Sequence, residues 1–177
     1  MTSNTSVNIV EADGLQINLK NQTVAGILAF LWPGAGHWYQ GRYGKAGLFS
    51  TCILGLFVVG MILGNGKVVY ASWDAQDYRW HYVLQAGVGL PAAPAALQWY
   101  FQSDSDSALL RGWMAKPASA KVLSDWHLQT SAGFDLGTLY TMVAGLLNLL
   151  VIFDAFAGPM AIPGHDSRNK KLPKETT

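Results

Sequence analysis

The chain has 177 residues, enough for one domain, and half of them are hydrophobic while only 13% are charged, against about 25% in an ordinary soluble domain. A formal net charge of +1 excludes the basic field that a nucleic acid partner requires. Cys52 is the only cysteine, which excludes an internal disulfide, and its apolar neighbours predict a buried structural thiol.

Residues 1–20 form a polar leader with neither the basic start nor the apolar core of a secretory signal. Within it, VNIVEADGLQIN alternates around Asp13 and Gly14, a pattern that fits a small hairpin or an unstructured leader equally well. After it, the placing of charges is informative. The tracts 21–41, 46–66, 81–103 and 136–153 contain no Lys, Arg, Asp or Glu, and Asp154 is the one charge inside an apolar segment. A soluble helix would carry charges on its outer face, so four such tracts point to a lipid bilayer as the surrounding medium. The expected fold is all-α: an integral membrane bundle of about four hydrophobic helices within a membrane domain, 21–159, followed by a basic polar tail, 160–177.

In chain order, the first helix is expected at 23–39. It is short and broken by Pro33, Gly34 and Gly36, so it either spans with help from tilt or thinning, or dips in and returns; we take it as a span. The second, 45–64, is twenty residues long, uncharged after Lys45, and reaches roughly 30 Å, one bilayer core. The third, 82–101, has the right length, but Pro91 and Pro94 predict a kink, and Gln85 and Gln98 need partners inside the protein. In the connection 102–135, ALLRGWMAK places Leu109, Leu110, Trp113 and Met114 on one helical side and predicts an interfacial helix stopped by Pro117. The fourth helix is expected at 136–157, closed by Gly158 and Pro159.

Trp32, Trp38, Trp80 and Trp99, with Tyr39, Tyr43, Tyr82 and Tyr100, fall near the ends of these segments, as amphipathic rings at a headgroup level would. Four spans place seven cations (Lys20, Lys67, Arg79, Arg168, Lys170, Lys171, Lys174) on the side of the termini and five (Arg42, Lys45, Arg111, Lys116, Lys121) on the other. The termini are therefore expected in the cytoplasm.

Residues that could carry chemistry are few. His37, His81, His127 and His165 form no H-x₃-H pair and no HExxH helix. Asp125 and His127 could bind a metal with His37 only if their loops met, so no metal is expected. There is no G-x-S-x-G elbow, and Gly34, Gly36, Gly41 and Gly44 frame no phosphate loop. No catalytic residue and no cofactor are nominated.

Asp154 is the strongest single candidate for a role beyond packing. An intramembrane carboxylate costs about 2.5–3.5 kcal/mol at mid-depth and less near an end. On the four-span topology its cations would be Lys20, Lys67 and Arg79. Thr141, Gly145 and Asn148 line one side of the same helix, and Gly60 and Gly64 form a G-x-x-x-G step. Both features suit close helix contact, within the chain by default or between two copies.

The stretch PGAGHWYQGRYGKAGLF resembles the signature of the TM-two (two-transmembrane) domain, in which a Gly-rich His-aromatic-Tyr turn is followed by a G-R-x-x-x-G step. The matching positions are Gly34, Gly36, His37, Tyr39, Gly41, Arg42, Lys45, Gly47 and Phe49. The later YTMVAGLLNLLVIFDAFAGP, with Asn148 and Asp154, and GVGLPAAPA are similar to an uncharacterised bacterial family of small membrane proteins. The resemblance covers most of 21–159, with residues 65–135 as a long insertion relative to a plain two-helix domain. It implies a small multi-pass protein of the bacterial cytoplasmic membrane and no particular activity. The expected function is a non-enzymatic structural, assembly or regulatory component, with the lipid bilayer and a second copy or another membrane protein as partners. The alternative is a membrane-embedded enzyme or small transporter working through His37, Arg42 and Asp154.

Overall fold

Asn21 begins the helical part of the protein, its side-chain oxygen accepting from the Val24 N–H at 3.2 Å and so capping the first helix. In this computed structural model, residues 9–12, 15–18, 20–75, 77–102 and 109–158 are described; the tail 160–177 lies outside them. Two short strands, β1 (Ile9–Ala12) and β2 (Leu15–Asn18), pair antiparallel with Ala12 opposite Leu15. They are followed by α1 (Gln22–Leu31), α2 (Ala35–Tyr39) and α3 (Tyr43–Leu63). A two-residue ladder, β3 (Trp73–Asp74) with β4 (Asp77–Tyr78), leads into α4 (His81–Gln85) and α5 (Ala93–Tyr100). The last helices are α6 (Ala120–Thr130) and α7 (Ala132–Ala157).

Only α3 and α7 are long and apolar enough to cross a membrane, by length and composition, among the described residues. They lie antiparallel, and the close approach is made by glycine. A Cβ on Gly60 would stand 2.8 Å from the Gly137 carbonyl oxygen, and one on Gly137 would overlap the Gly60 carbonyl. Gly60 and Gly64 therefore pack within the chain, against the first turns of α7.

The segments expected as helices at 23–39 and 82–101 are not continuous, and the reason is local. Pro33 removes an N–H and Gly34 takes φ +85°, so α1 stops and α2 turns back beside it. Gly36 packs onto Ala25 and Ala29, and Lys20 Nζ donates to the Tyr39 carbonyl at 2.6 Å, which brings the end of α2 next to the start of α1. The second interruption falls at Gly89, φ +86°, between two 3₁₀ turns, Ala86–Val88 and Leu90–Ala92. The chain then returns along α5, and Tyr82 Oη donates to the Ala92 carbonyl at 3.0 Å. Both segments are helical hairpins, entering from opposite ends of the α3–α7 pair. Their tips meet halfway, where a Cβ on Gly89 would overlap the Phe30 carbonyl.

Proline creates the same problem at both tips. The Ala29 carbonyl would bond the N–H four residues on, and that residue is Pro33; the Gly87 carbonyl would bond residue 91, which is Pro91. Asn148 of α7, fully buried, donates from Nδ2 to both carbonyls, at 3.1 Å to Ala29 and 2.9 Å to Gly87. Its Oδ1 is buried without a partner among the described residues, so the two donated bonds are its polar contribution there. Further along α7, Thr141 Oγ1 accepts from Gln85 Nε2 at 2.8 Å, and Gly145 lets the Leu84 and Gly87 backbones approach.

Two other expectations are corrected here. The interfacial helix at ALLRGWMAK is only a 3₁₀ turn, Leu109–Gly112, with Leu110 and Arg111 at positive φ. The amphipathic helix of this connection is α6, capped by Ser119, whose Oγ accepts from the Val122 N–H at 3.4 Å. It buries Trp126 edge-on to Tyr70, with ring centroids 6.0 Å apart. Cys52 is exposed on α3 rather than buried.

Asn148→Leu keeps the branched heavy-atom outline, adds some bulk and leaves two buried carbonyls without donors, so it is expected to cost about 2–6 kcal/mol. Leu150→Ala, on the exposed face of the same helix, should stay within about 0.5 kcal/mol. Comparing their unfolding midpoints checks this; equal shifts would contradict the tie.

Candidate functional site

The Gly-rich turn brings its polar residues to one end of α7. α2 carries His37, fully buried, with its ring edge-on to Phe49 of α3 at 5.0 Å. Gln40, Gly41 and Arg42 make the turn into α3, and Lys45 lies in its first turn. All three cationic or ring groups converge on Asp154 Oδ2: His37 Nε2 at 2.6 Å, Arg42 Nη2 at 3.1 Å and Lys45 Nζ at 3.5 Å. An ionised carboxylate only accepts, so the His37 nitrogen facing it carries the proton. Gln40 Nε2 donates to the Ala155 carbonyl at 2.6 Å, and Arg42 Nη1 reaches Gln40 Oε1 at 3.4 Å. Ser50 Oγ donates to the Pro33 carbonyl at 2.5 Å, fixing the tip of the first hairpin to α3.

Asp154 is thus held by Arg42 and Lys45, not by the Lys67 and Arg79 expected from four spans. Lys20 lies at the same end but bonds Tyr39. The difference follows from the hairpins: when residues 23–39 turn back, the motif turn and the end of α7 share one end of the molecule. Of the other candidates, Gly34 sits at the hairpin tip, where a Cβ would stand 2.5 Å from the Ala46 carbonyl oxygen. Gly36 and Tyr39 belong to α2, and Gly41 takes φ +82° in the turn. Asn148, Thr141, Gly145, Gly60 and Gly64 lie along the α7 interfaces described above, away from this cluster.

Sequence reading did not foresee a second buried polar group at the other end. Arg79, 7% exposed, donates from Nη2 to the Val68 carbonyl at 2.8 Å and to Thr138 Oγ1 at 3.1 Å. Its guanidinium lies 4.3 Å from the Tyr70 ring centroid and 5.0 Å from that of Phe134. Burial lowers the Arg79 pKa and raises that of the Tyr70 phenol, each from its ordinary value. The signal available was a lone arginine just ahead of a charge-free tract beside Tyr70, which is ambiguous without knowing what covers it.

Chemically, the first cluster has a histidine–carboxylate pair but, among the described residues, no nucleophile aligned on it, since Ser50 is committed to Pro33. His37 and His127 lie at opposite ends of α7. His127 Nδ1 is 2.8 Å from the Leu123 carbonyl, and its ring is 4.1 Å from that of Phe134. Among the described residues no three His, Cys, Asp or Glu are placed to hold a metal ion. The arrangement is a clamp between the turn and the end of α7.

By class, then, this is a mostly helical protein with two helices of membrane-crossing length, α3 and α7, joined by two helical hairpins. The chain belongs to a family described as a family of unknown function (DUF6677), which matches residues 24–168. The match takes in both hairpins, both long helices and the motif turn. No curated protein and no solved structure matches the chain.

Replacing Asp154 with Asn keeps shape and removes charge, leaving the nearly buried Arg42 uncompensated; a loss of about 1–3 kcal/mol is expected. Lys45→Met, at a half-exposed position, should cost at most about 0.5 kcal/mol. Thermal or denaturant unfolding of the two variants reads the difference.

Proposed function

We propose that the protein is an integral membrane protein of two crossing helices and two re-entrant hairpins, with a non-enzymatic structural, assembly or regulatory role in a bacterial cytoplasmic membrane. The observation that carries this reading is the contrast between the inner and outer faces of α7. Inward it presents Thr138, Thr141, Asn148 and small residues, and every exposed residue from 136 to 153 is Leu or Phe. The outer face of α3 is similar, with Leu48, Val58, Val59 and Ile62 exposed and no charge after Lys45. In lipid, irregular backbone at depth is tolerated only when protein covers it, and the Asn148 bonds meet that condition at both hairpin tips.

The resemblance of the turn to the TM-two domain supports the same reading, with His37, Arg42 and Lys45 as an anchor for the end of α7. The cluster does not favour an enzyme or transporter, because His37 is fully buried and no substrate could reach it without opening the clamp. With two spans the cationic side gathers Lys20, Arg42, Lys45, Arg168, Lys170, Lys171 and Lys174, against Lys67, Arg79, Arg111, Lys116 and Lys121 opposite. The excess supports a cytoplasmic side for the motif turn and both termini.

Cysteine accessibility tests the topology. In a Cys52→Ser background, Thr23→Cys and Gly44→Cys should label from one side of the membrane and Ala75→Cys from the other. Four spans would instead pair Thr23 with Ala75, and recovery of the protein in the soluble fraction would refute the membrane reading altogether.

A further inference from the structure

Between the hairpin tips and the far end of α3 runs an apolar groove of about 660 Å³. Its walls are formed by Trp32, Leu54, Val58 and Ile62, and its mouth by Asn65, Gly66 and Trp113. We propose that this groove holds one acyl chain of a glycerophospholipid, with the lipid phosphate at the mouth beside Lys67 and Arg111. The proposal rests on the membrane reading above and adds to it a defined lipid site.

Three observations select that occupant. The first is length. From Leu54 to Leu63, where α3 ends, the helix rises roughly 13 Å, a little under half of a bilayer core of ~30 Å, and Asn65 and Gly66 follow directly, so the groove runs from near mid-depth to one headgroup level. The second is polarity. Apart from the Trp32 indole at the inner end the walls are apolar, and the other polar groups occur at the mouth, where Asn65 is exposed and the Trp113 indole is half-exposed. The third is charge. Lys67 follows Gly66 directly and Arg111 is exposed two residues before Trp113. Neither is ion-paired among the described residues; Lys67 Nζ bonds the neutral Gln129 Oε1 at 3.1 Å and lies 5.4 Å from the Trp126 ring centroid, so its charge meets no carboxylate there. A phosphate complements that end, and a hydrocarbon chain complements the rest.

Trp32 gives the groove its inner end. Tryptophan favours the headgroup level, yet here it projects from a hairpin tip at mid-depth with 47% of its surface uncovered. The end of a bound chain would cover it.

The test uses the full chain reconstituted in bilayers containing a phospholipid with a photoreactive diazirine at the acyl terminus, with crosslinks mapped by mass spectrometry. Crosslinks are expected to concentrate on Trp32 and Leu54. Val58→Trp and Ile62→Trp, both at exposed positions that fill the groove, should each lower that yield roughly tenfold, the equivalent of ~1.4 kcal/mol of binding. The unfolding midpoint reports that each variant is folded. Crosslinks spread evenly over the outer faces of α3 and α7, unchanged by either variant, would overturn the site and leave the membrane reading intact. A chain that does not enter bilayers would overturn both.

Discussion

A proline inside a helical run leaves the carbonyl four residues before it without its donor, and this protein does so twice at nearly the same level along α7. The Ala29 and Gly87 carbonyls would each be a buried acceptor with nothing to accept, at a cost of about 1–3 kcal/mol apiece. One primary amide has two N–H groups, and Asn148 uses both of them there. The rest of the arrangement depends on that constraint. The tips can meet at the centre only if a single donor lies between them, which fixes the position of α7 relative to both hairpins.

The other contacts of α7 follow from its direction. Gly137 and Thr141 face α3, Gly145 faces the second hairpin, and Ala155 receives the first. These inward residues recur at three- and four-residue spacing, so one helix serves as the spine for three neighbours. The two ends are closed by different chemistry. At one, Asp154 gathers His37, Arg42 and Lys45; at the other, Arg79 is stacked on aromatic rings and bonded to neutral oxygens. The first holds a charge pair partly in water, while the second buries a cation by surrounding it with ring faces, one carbonyl and one hydroxyl.

Much of this could be read from the sequence where the signal was continuous. The tracts at 45–64 and 136–157 correspond to α3 and α7 to within a few residues, because long apolar runs with a single charge near one end leave few alternatives. The stripe Thr141, Gly145, Asn148 could be seen as a contact face, although its partners could not. Composition could not show that 23–39 and 82–101 turn back on themselves. A proline permits a kink, a break or a reversal, and the choice depends on whether distant residues satisfy the freed carbonyls. The wrong cations were assigned to Asp154 for the same reason, since a topology with the first segment crossing puts Arg42 at the far end. The helix α6 was legible in principle from Ser119 followed by Val122, Leu123 and Trp126, but the more apolar ALLRGWMAK drew the assignment despite Gly112 and Pro117.

The central claim is that one side chain satisfies both hairpin tips, and a distance measurement addresses it directly. In reconstituted protein, solid-state NMR recoupling between ¹⁵N at Asn148 Nδ2 and ¹³C at the Ala29 and Gly87 carbonyls reports the two contacts separately. Strong dipolar coupling to both carbons is the result this account predicts, given N···O separations of 3.1 and 2.9 Å. Coupling to only one carbon, or to neither, would contradict it.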